Sequence, residues 1–479
     1  MLQGEQSAKT TGAPDLWRLS AAEIVKGYAD GSHTPSDVLE ACLVRTGRCQ
    51  PDLNMMVLVD ADAARAAARE SQQRWKEGRP LGPLDGVPIS IKDNMNVAGL
   101  PTTWGSRMLR GFVAAEDELP VKRLRAAGAI LFGKTNLPEF AMQGYTDNQV
   151  IGTTRNPWKR SLTPGGSSGG AAAAIAAGCG PLALATDGGG SIRRPASHCG
   201  VIGFKPSMGT VRRGLGLPEI FLDFEVAGPI GRSVGDVRAL TQVLAGHDLG
   251  APAFRSRRIC FVPTFGDHPV DPAIATQVAE AAKTFEELGY TVEKAARFDL
   301  AEEINELWPS LSAIGLAWLF GKQAEWPRLG LPPGSGPDVG QCGPAAQKTL
   351  QEARTVGATK LFDVLVAIQT LERRLHDIFA EYDAILTPAT AALPWPAADS
   401  HPQEIDGRKV GPRGHAIFTA FANAAGLPAI AMPSGWVGDL PTGFQLVGPR
   451  GADATVLALA QSYEEARGRR ADFPATGNQ

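Results

Sequence analysis

Gly165-Gly166-Ser167-Ser168-Gly169-Gly170, then a run of alanine and glycine, then Thr186-Asp187-Gly188-Gly189-Gly190-Ser191-Ile192-Arg193-Arg194-Pro195: the reading of the whole chain turns on this stretch. Two of its serines, Ser167 and Ser191, each follow glycines and stand 24 residues apart. Glycine beside a serine lets the backbone take left-handed or cramped dihedrals and leaves room for a substrate to reach the main chain. Three glycines before Ser191 suit a nest of N–H groups turned toward one point, which is how an oxyanion hole is built. Between the serines, residues 168–178 predict a small-residue helix and 182–186 a buried strand. A serine that attacks a carbonyl also needs a base. The candidate lies upstream in Val87-Pro88-Ile89-Ser90-Ile91-Lys92-Asp93-Asn94, where Lys92 closes an apolar, strand-like run.

Taken singly, these features have plainer readings: Gly/Ser-rich segments are mostly loops, and a lysine ending a strand is mostly a solvated terminus. Together, Lys92, the cluster at 165–170 and the cluster at 187–195, in that order and spacing, resemble the signature of the amidase signature family of serine hydrolases. The similarity extends over most of the chain. It implies an α/β fold with a single large mixed β-sheet sandwiched between helices, and a Ser–cis-Ser–Lys triad. In that triad Ser191 is the nucleophile, Ser167 the bridging serine behind a cis peptide bond, and Lys92 the terminal base. The resemblance further implies an oxyanion hole from the N–H groups of Gly188, Gly189, Gly190 and Ser191. Ser168 and Thr186 would support the two serine segments, and Asp187 and Arg193 would form a buried ion pair holding the turn. Family members usually carry one larger residue among these glycines, so Gly188 is a departure expected to loosen the hole or widen the acyl pocket.

The physical requirements of the triad suit these residues. A free lysine, with a pKa of about 10.4, is a poor base at neutral pH. Buried at the end of an apolar strand it shifts toward the neutral amine, because desolvation disfavours the charged form. A rival arrangement uses His198, seven residues after Ser191. Ser191 lacks the Gly-x-Ser-x-Gly elbow, however, and relatives often carry an aromatic residue where His198 stands, so His198 reads as packing.

Composition bounds the rest. At 479 residues the chain can bury a large core without disulfides or a structural metal. Its 55 glycines and 36 prolines predict a loop-rich globular enzyme. A net charge of −3 leaves no basic footprint for nucleic acid. Six cysteines without a Cys-x-x-Cys pair read as buried free thiols of a reducing compartment. The seven histidines are scattered, which excludes a metal site by spacing, and no glycine cluster runs into a P-loop lysine. The first twenty residues lack a signal-peptide core, and the longest apolar stretch, 171–186, is broken by Gly178, Gly180 and Pro181. The expectation is a cytoplasmic protein, a monomer or homodimer, with no cofactor, no membrane contact and no nucleic-acid partner.

Along the chain, residues 1–14 read as a flexible tail. Ser20-Ala21-Ala22-Glu23 is a capping box that opens a helix ending near Gly31, and Thr34-Pro35-Ser36-Asp37 starts another running to about Thr46. A strand at 54–59 and a helix at 61–78 complete an N-terminal segment, 1–80, that packs on a single domain spanning 1–479. Helices are predicted at 119–127, 234–245, 271–288, 360–381, 417–425 and 452–467. Strands are predicted at 87–92, 130–133, 258–262, 291–293, 384–387, 429–432 and 442–447. Residues 296–380 are a variable segment expected to contribute to the substrate pocket. Trp308, Trp318, Phe320 and Trp326 fall there, each either a core residue or a pocket wall.

The family hydrolyses C–N bonds of amides and often esters, anilides and carbamates. One branch is a glutamine-using subunit of a tRNA amidotransferase, whose core is similar at 199–206 and 443–448. Arg194 stands where that branch commonly carries Gln. The small-molecule substrate is therefore expected to be an aryl or acyl amide, an ester or a carbamate (urethane) handled through an acyl-enzyme. The alternatives are a catalytically silent relative, against which intact Lys92, Ser167 and Ser191 argue, and the tRNA-dependent amidotransferase component.

Overall fold

The computed structural model of the chain describes residues 15–322, 326, 336–468 and 473–475. The tail expected over 1–14 and much of the Pro/Gly-rich section after Trp326 lie outside the described residues.

Local sequence chemistry sets the opening helices. The Ser20 hydroxyl accepts from the Glu23 N–H and the Glu23 carboxylate accepts from the Ser20 N–H, which starts α1 (Ala21–Asp30); Gly31, at φ +77°, ends it. Thr34 and Asp37 repeat the capping box, with Pro35 at the first position of α2 (Pro35–Leu53). This helix passes the predicted end near Thr46 because Cys49 and Leu53 continue its buried face.

The chain then runs through β1 (Met56–Val59), α3 (Ala61–Lys76), β2 (Pro88–Lys92), α4 (Leu119–Ala126), β3 (Ile130–Thr135), α5 (Gly169–Ala176) and β4 (Leu182–Asp187). There follow α6 (Arg193–Cys199), β5 (Ile202–Lys205), β6 (Val226–Gly231), α7 (Val234–Ala245), β7 (Arg258–Phe261), α8 (Pro272–Glu287) and β8 (Thr291–Lys294). Next come α9 (Glu302–Gly321), α10 (Pro344–Ala353), α11 (Ala358–Glu381), β9 (Ala384–Pro388) and the small pair β10 (Glu404–Ile405) and β11 (Arg408–Lys409). The last elements are α12 (Ala420–Ala424), β12 (Ala429–Val437), β13 (Leu440–Val447) and α13 (Asp453–Arg467).

Eleven strands form one sheet in the order β1-β3-β2-β4-β6-β5-β12-β13-β9-β7-β8. It is mixed: β3, β2 and β4 are parallel, as are β9, β7 and β8, and the strands between run antiparallel. Alternating residues of β4 show why it lies between two helical layers. Ala183 and Ala185 meet Ala171 and Ile175 of α5 and Ala196 of α6 on one face. Leu182 and Leu184 meet Leu240 and Leu244 of α7 on the other. Along β12, Ala431 joins the small-residue layer, while Ile430 and Met432 pack with Val278 of α8 and Leu457 of α13. The alanines matter because small side chains let α5 and α6 approach the sheet closely.

Sequence reading gives no range for α6, β5, β6, α9, α10, β10 or β11, and three of these share a reason: residues that break local propensity are overridden by packing. α6 opens with Arg193-Arg194-Pro195, β6 carries Gly228, Pro229 and Gly231, and α9 holds Pro309 in its interior. Leu307, Leu311, Leu316 and Leu319 are buried along α9, and that apolar face sustains the helix across the proline.

Candidate active site

Because β2 and β4 are parallel neighbours, their C-terminal ends arrive at the same edge of the sheet. Lys92 is the last residue of β2, and Thr186 and Asp187 are the last two of β4. Ser167 stands just before α5, which places the glycine-rich loop over the same edge. The Gly166–Ser167 peptide bond is cis. Gly166 has no substitute here, since a Cβ would lie 2.5 Å from the Tyr145 carbonyl oxygen.

The Lys92 amine is wholly buried and donates to Ser167 Oγ at 2.7 Å and to Thr186 Oγ1 at 2.9 Å. Its surroundings pull its pKa down to about 7, chiefly through desolvation; Glu225 and Asp187 oppose that shift and Arg213 adds to it. Ser168 Oγ donates to the Thr186 carbonyl at 3.1 Å, and the Ser168 N–H to the Ser191 carbonyl at 3.1 Å, which ties the two serine segments together. Ser191 lines one cavity with Ser167, and no hydrogen bond joins their hydroxyls among the described residues. The Lys92–Ser167 link is thus made, and the Ser167–Ser191 link is not.

Asp187 organises the turn that carries Ser191. Its Oδ1 accepts from the N–H of Gly189 at 3.2 Å and of Gly190 at 2.6 Å, and its Oδ2 accepts from the N–H of Ile192 at 3.1 Å. Arg193 pairs with it through Nε and Nη2 at 3.0 and 2.9 Å, both side chains fully buried. Although burial by itself disfavours the charge, Arg193, Lys205 and these N–H groups hold the Asp187 carboxyl far below the usual carboxylate range. Of the four expected oxyanion donors, Gly189 and Gly190 are therefore turned onto Asp187, while the N–H groups of Gly188 and Ser191 make no hydrogen bond among the described residues.

Sequence reading missed most of the supporting shell. Asn94 donates to Thr186 Oγ1 at 2.9 Å and to Glu225 Oε1 at 3.1 Å, and Arg213 faces Glu225 at 3.4 Å. Asn423 Nδ2 donates to the Asp187 carbonyl at 2.8 Å, and Arg193 donates to Asn423 and Gln445. Thr419 Oγ1 donates to the Gly189 carbonyl at 2.7 Å. Only Asn94, two residues after Lys92, had a local signal.

The cavity around Ser191 measures about 40 Å³. Met142, Phe221 and Trp308 form its apolar wall, and Arg194, Arg413 and Glu225 its charged one. Trp308 stacks on Phe221 at 6.0 Å, and its indole N–H donates to the Gly188 carbonyl at 2.9 Å. Of the aromatics at 296–380, Trp308 lines the site, Trp318 is exposed, and Phe320 packs against buried Trp326. His198 packs edge-on to Trp395 and faces the Ala392 carbonyl at 3.2 Å, makes no hydrogen bond to Ser191 among the described residues, and has its pKa pulled down to about 4 by burial. All six cysteines are buried and free. Among the described residues, no group of three or more His, Cys, Asp or Glu side chains could hold a metal, and no helix is long and apolar enough to cross a membrane.

Comparison with known proteins gives a consistent pattern. The family model described as Amidase matches residues 37–457. The chain is 33% identical to a subunit of the glutamyl-tRNA(Gln) amidotransferase of Symbiobacterium thermophilum, covering 93% of this chain and 96% of that one. It is 31% identical to an acylamidase of Rhodococcus erythropolis, covering 95% and 96%. Its fold is similar to that of a bacterial aryl acylamidase of the amidase signature enzymes, with a TM-score of 0.84, 29% identity and 94% and 96% coverage.

Proposed function

Since the chain belongs to the amidase signature family, we propose that it is a serine hydrolase that cleaves the C–N bond of acyl or aryl amides through an acyl-enzyme. Esters and carbamates fall within its reach. The observation that supports this most directly is the buried Lys92 amine, with a pKa of about 7 and 2.7 Å from the Oγ of Ser167, which lines one cavity with Ser191. Neutral Lys92 accepts the Ser167 proton as Ser167 accepts that of Ser191, and the Ser191 oxygen attacks the carbonyl. The free N–H groups of Gly188 and Ser191 face the developing oxyanion, and losing one such donor typically costs about 3 kcal/mol of barrier. Ser167 returns a proton to the departing amine. Water then attacks the acyl-enzyme, giving its proton to Ser167 as Ser167 gives its own to Lys92, and the relay returns a proton to the Ser191 oxygen as the acid leaves.

The test is turnover of a panel of p-nitroanilides and p-nitrophenyl esters, together with labelling by a fluorophosphonate. Hydrolysis with the label on Ser191 is expected, and Ser191→Ala should lose both. Full hydrolysis by Ser191→Ala would remove the assignment.

A second reading, a glutamine-using amidotransferase subunit, is favoured by the 33% identity to such a subunit over 93% of this chain. It predicts glutamine hydrolysis that rises only when partner proteins and charged tRNA are added. A non-catalytic relative predicts neither turnover nor label. The apolar wall of Met142, Phe221 and Trp308 supports the acyl or aryl amide.

A further inference from the structure

Two guanidinium groups reach the cavity of Ser191 and neither meets a carboxylate among the described residues. Arg194 stands three positions after Ser191 and is 5% exposed. Its partners are both neutral: the Gly190 carbonyl, 3.4 Å from Nε, and the His415 ring, 3.3 Å from Nη1. That ring is held uncharged, its pKa well below the usual histidine range because burial and the neighbouring arginines oppose protonation. Arg413 comes from the loop before α12 and is half-buried, with the end of its guanidinium inside. Its side chain makes no hydrogen bond or ion pair among the described residues, and its Nη2 is buried without a partner.

Three other buried cations meet a carboxylate, while Lys205, outside the lining of this cavity, donates to the Pro206 carbonyl at 2.9 Å. Arg193 has Asp187, Arg213 has Glu118, and Lys134 has Asp93. The remaining charge of the cavity, Glu225, is already held by Asn94 and Arg213. Buried charges are normally paired, and leaving two like charges near one another in low dielectric is unfavourable unless an anion lies between them. Desolvation, reinforced for Arg194 by Arg413, brings Arg194 to about 9 and Arg413 to about 10, so both remain cations at neutral pH. The guanidinium fork matches the plane and spacing of a carboxylate better than an ammonium does.

We propose that the substrate of this hydrolase carries a carboxylate a few bonds from the scissile carbonyl, and that Arg194 and Arg413 clasp it beside Ser191. The assignment rests on the hydrolase reading for its chemistry but can be tested by binding alone. The apolar wall of Phe221 and Trp308 would take the remainder of the molecule. Arg194 and Arg413 would then be specificity-determining residues, disfavouring neutral amides, which leave the two cations without an anion, but not excluding them.

Two measurements decide it. In the first, the Ser191→Ala protein is titrated calorimetrically with monoanilides of dicarboxylic acids having one, two or three methylenes, with acetylated aminobenzoates, and with neutral anilides of matching length. At least one carboxylate-bearing ligand should bind about tenfold or more tightly than its neutral match, the lower range for leaving a buried charge unpaired. Arg413→Met or Arg194→Gln, placed on the same background, should collapse that ratio toward one, and Arg413→Lys should restore part of it. In the second, the active protein is assayed on the same pairs, and the ratio of kcat/KM is expected to follow the ratio of affinities. Equal binding of charged and neutral ligands, or no binding of either, overturns the proposal, as does a preference that survives both arginine substitutions. Preferential binding without turnover or fluorophosphonate labelling would instead sink the hydrolase reading and leave the anion site standing. Should Arg413→Met fail to fold by circular dichroism, the Arg194→Gln and Arg413→Lys proteins carry the test.

Discussion

Lys92 Nζ lies 2.7 Å from Ser167 Oγ, with both residues at most 1% exposed. An amine in that position has exchanged water for two hydroxyls and the end of a strand. It gives up its charge at a pH where a free lysine keeps it.

The first consequence is a pH profile. Below about 7 Lys92 carries a proton and cannot accept one, and above it the amine is free. The rate under kcat/KM conditions should therefore rise through a single pKa near 7 and level off above it. Lys92→Met should lose activity by about a thousandfold or more. A profile flat from pH 5 to 9, or a limb near the free lysine value, would contradict this origin of the base.

Glu225 offers a way to move that limb. Its charge favours protonated Lys92 and so raises the lysine pKa against desolvation, whereas Arg213 lowers it. Glu225→Gln removes the first influence and leaves Arg213 less well balanced, so both changes act in the same direction. The limb should move to lower pH. A shift to higher pH, with the fold intact by circular dichroism, would show that this sign is wrong.

The Asp187–Arg193 pair predicts a stability effect. Asp187→Asn leaves a buried guanidinium uncompensated and should cost about 3–5 kcal/mol, read as a lower urea midpoint at unchanged slope. The carboxyl titrates well below the usual range, so its contribution is complete above about pH 4, the unfolded value, and is lost only as pH falls through the folded one. Urea midpoints of the parent protein that dropped steeply between pH 7 and 5 would have to come from other groups. The variant should also lose activity, because the Gly189 and Gly190 N–H groups lose the acceptor that shapes the turn.

Two glycines of the turn should respond in opposite ways. Gly190 has φ +109°, and a Cβ there would collide with Thr419 Oγ1 and come within 2.9 Å of Arg194 Nε. Gly190→Ala should reduce kcat by about two orders of magnitude or more, as the turn bearing Ser191 is displaced. A Cβ on Gly188 meets the Glu225 and Phe221 side chains at 3.4 and 3.5 Å, which is ordinary contact. Gly188→Ala should therefore change stability by no more than about 0.5 kcal/mol and act on substrate preference instead. Thermal melts and steady-state kinetics on the two proteins separate these outcomes.

Lys92 and the two serines stood out through their resemblance to a family signature, whereas the glycine turn, the capping boxes and most strands were legible in the order of residues alone. Caps, turns and apolar periods are interactions between near neighbours, so adjacent letters carry them. The mixed sheet and its helical layers were legible for the same reason, through short apolar runs alternating with helical ones. What only the tertiary structure decided is which distant groups surround those letters. Glu225 reaches Asn94 across 131 residues, and Asn423 and Gln445 reach Arg193 across 230 and 252. Arg413 comes to Ser191 by a loop with no local motif, and Pro309, Pro229 and Pro195 hid a helix, a strand and a helix that packing sustains. Desolvation is a property of everything packed around a group: the apolar strand already announced a depressed lysine pKa, but the groups that set it, and the two arginines without a carboxylate, become visible only once the chain has closed over them.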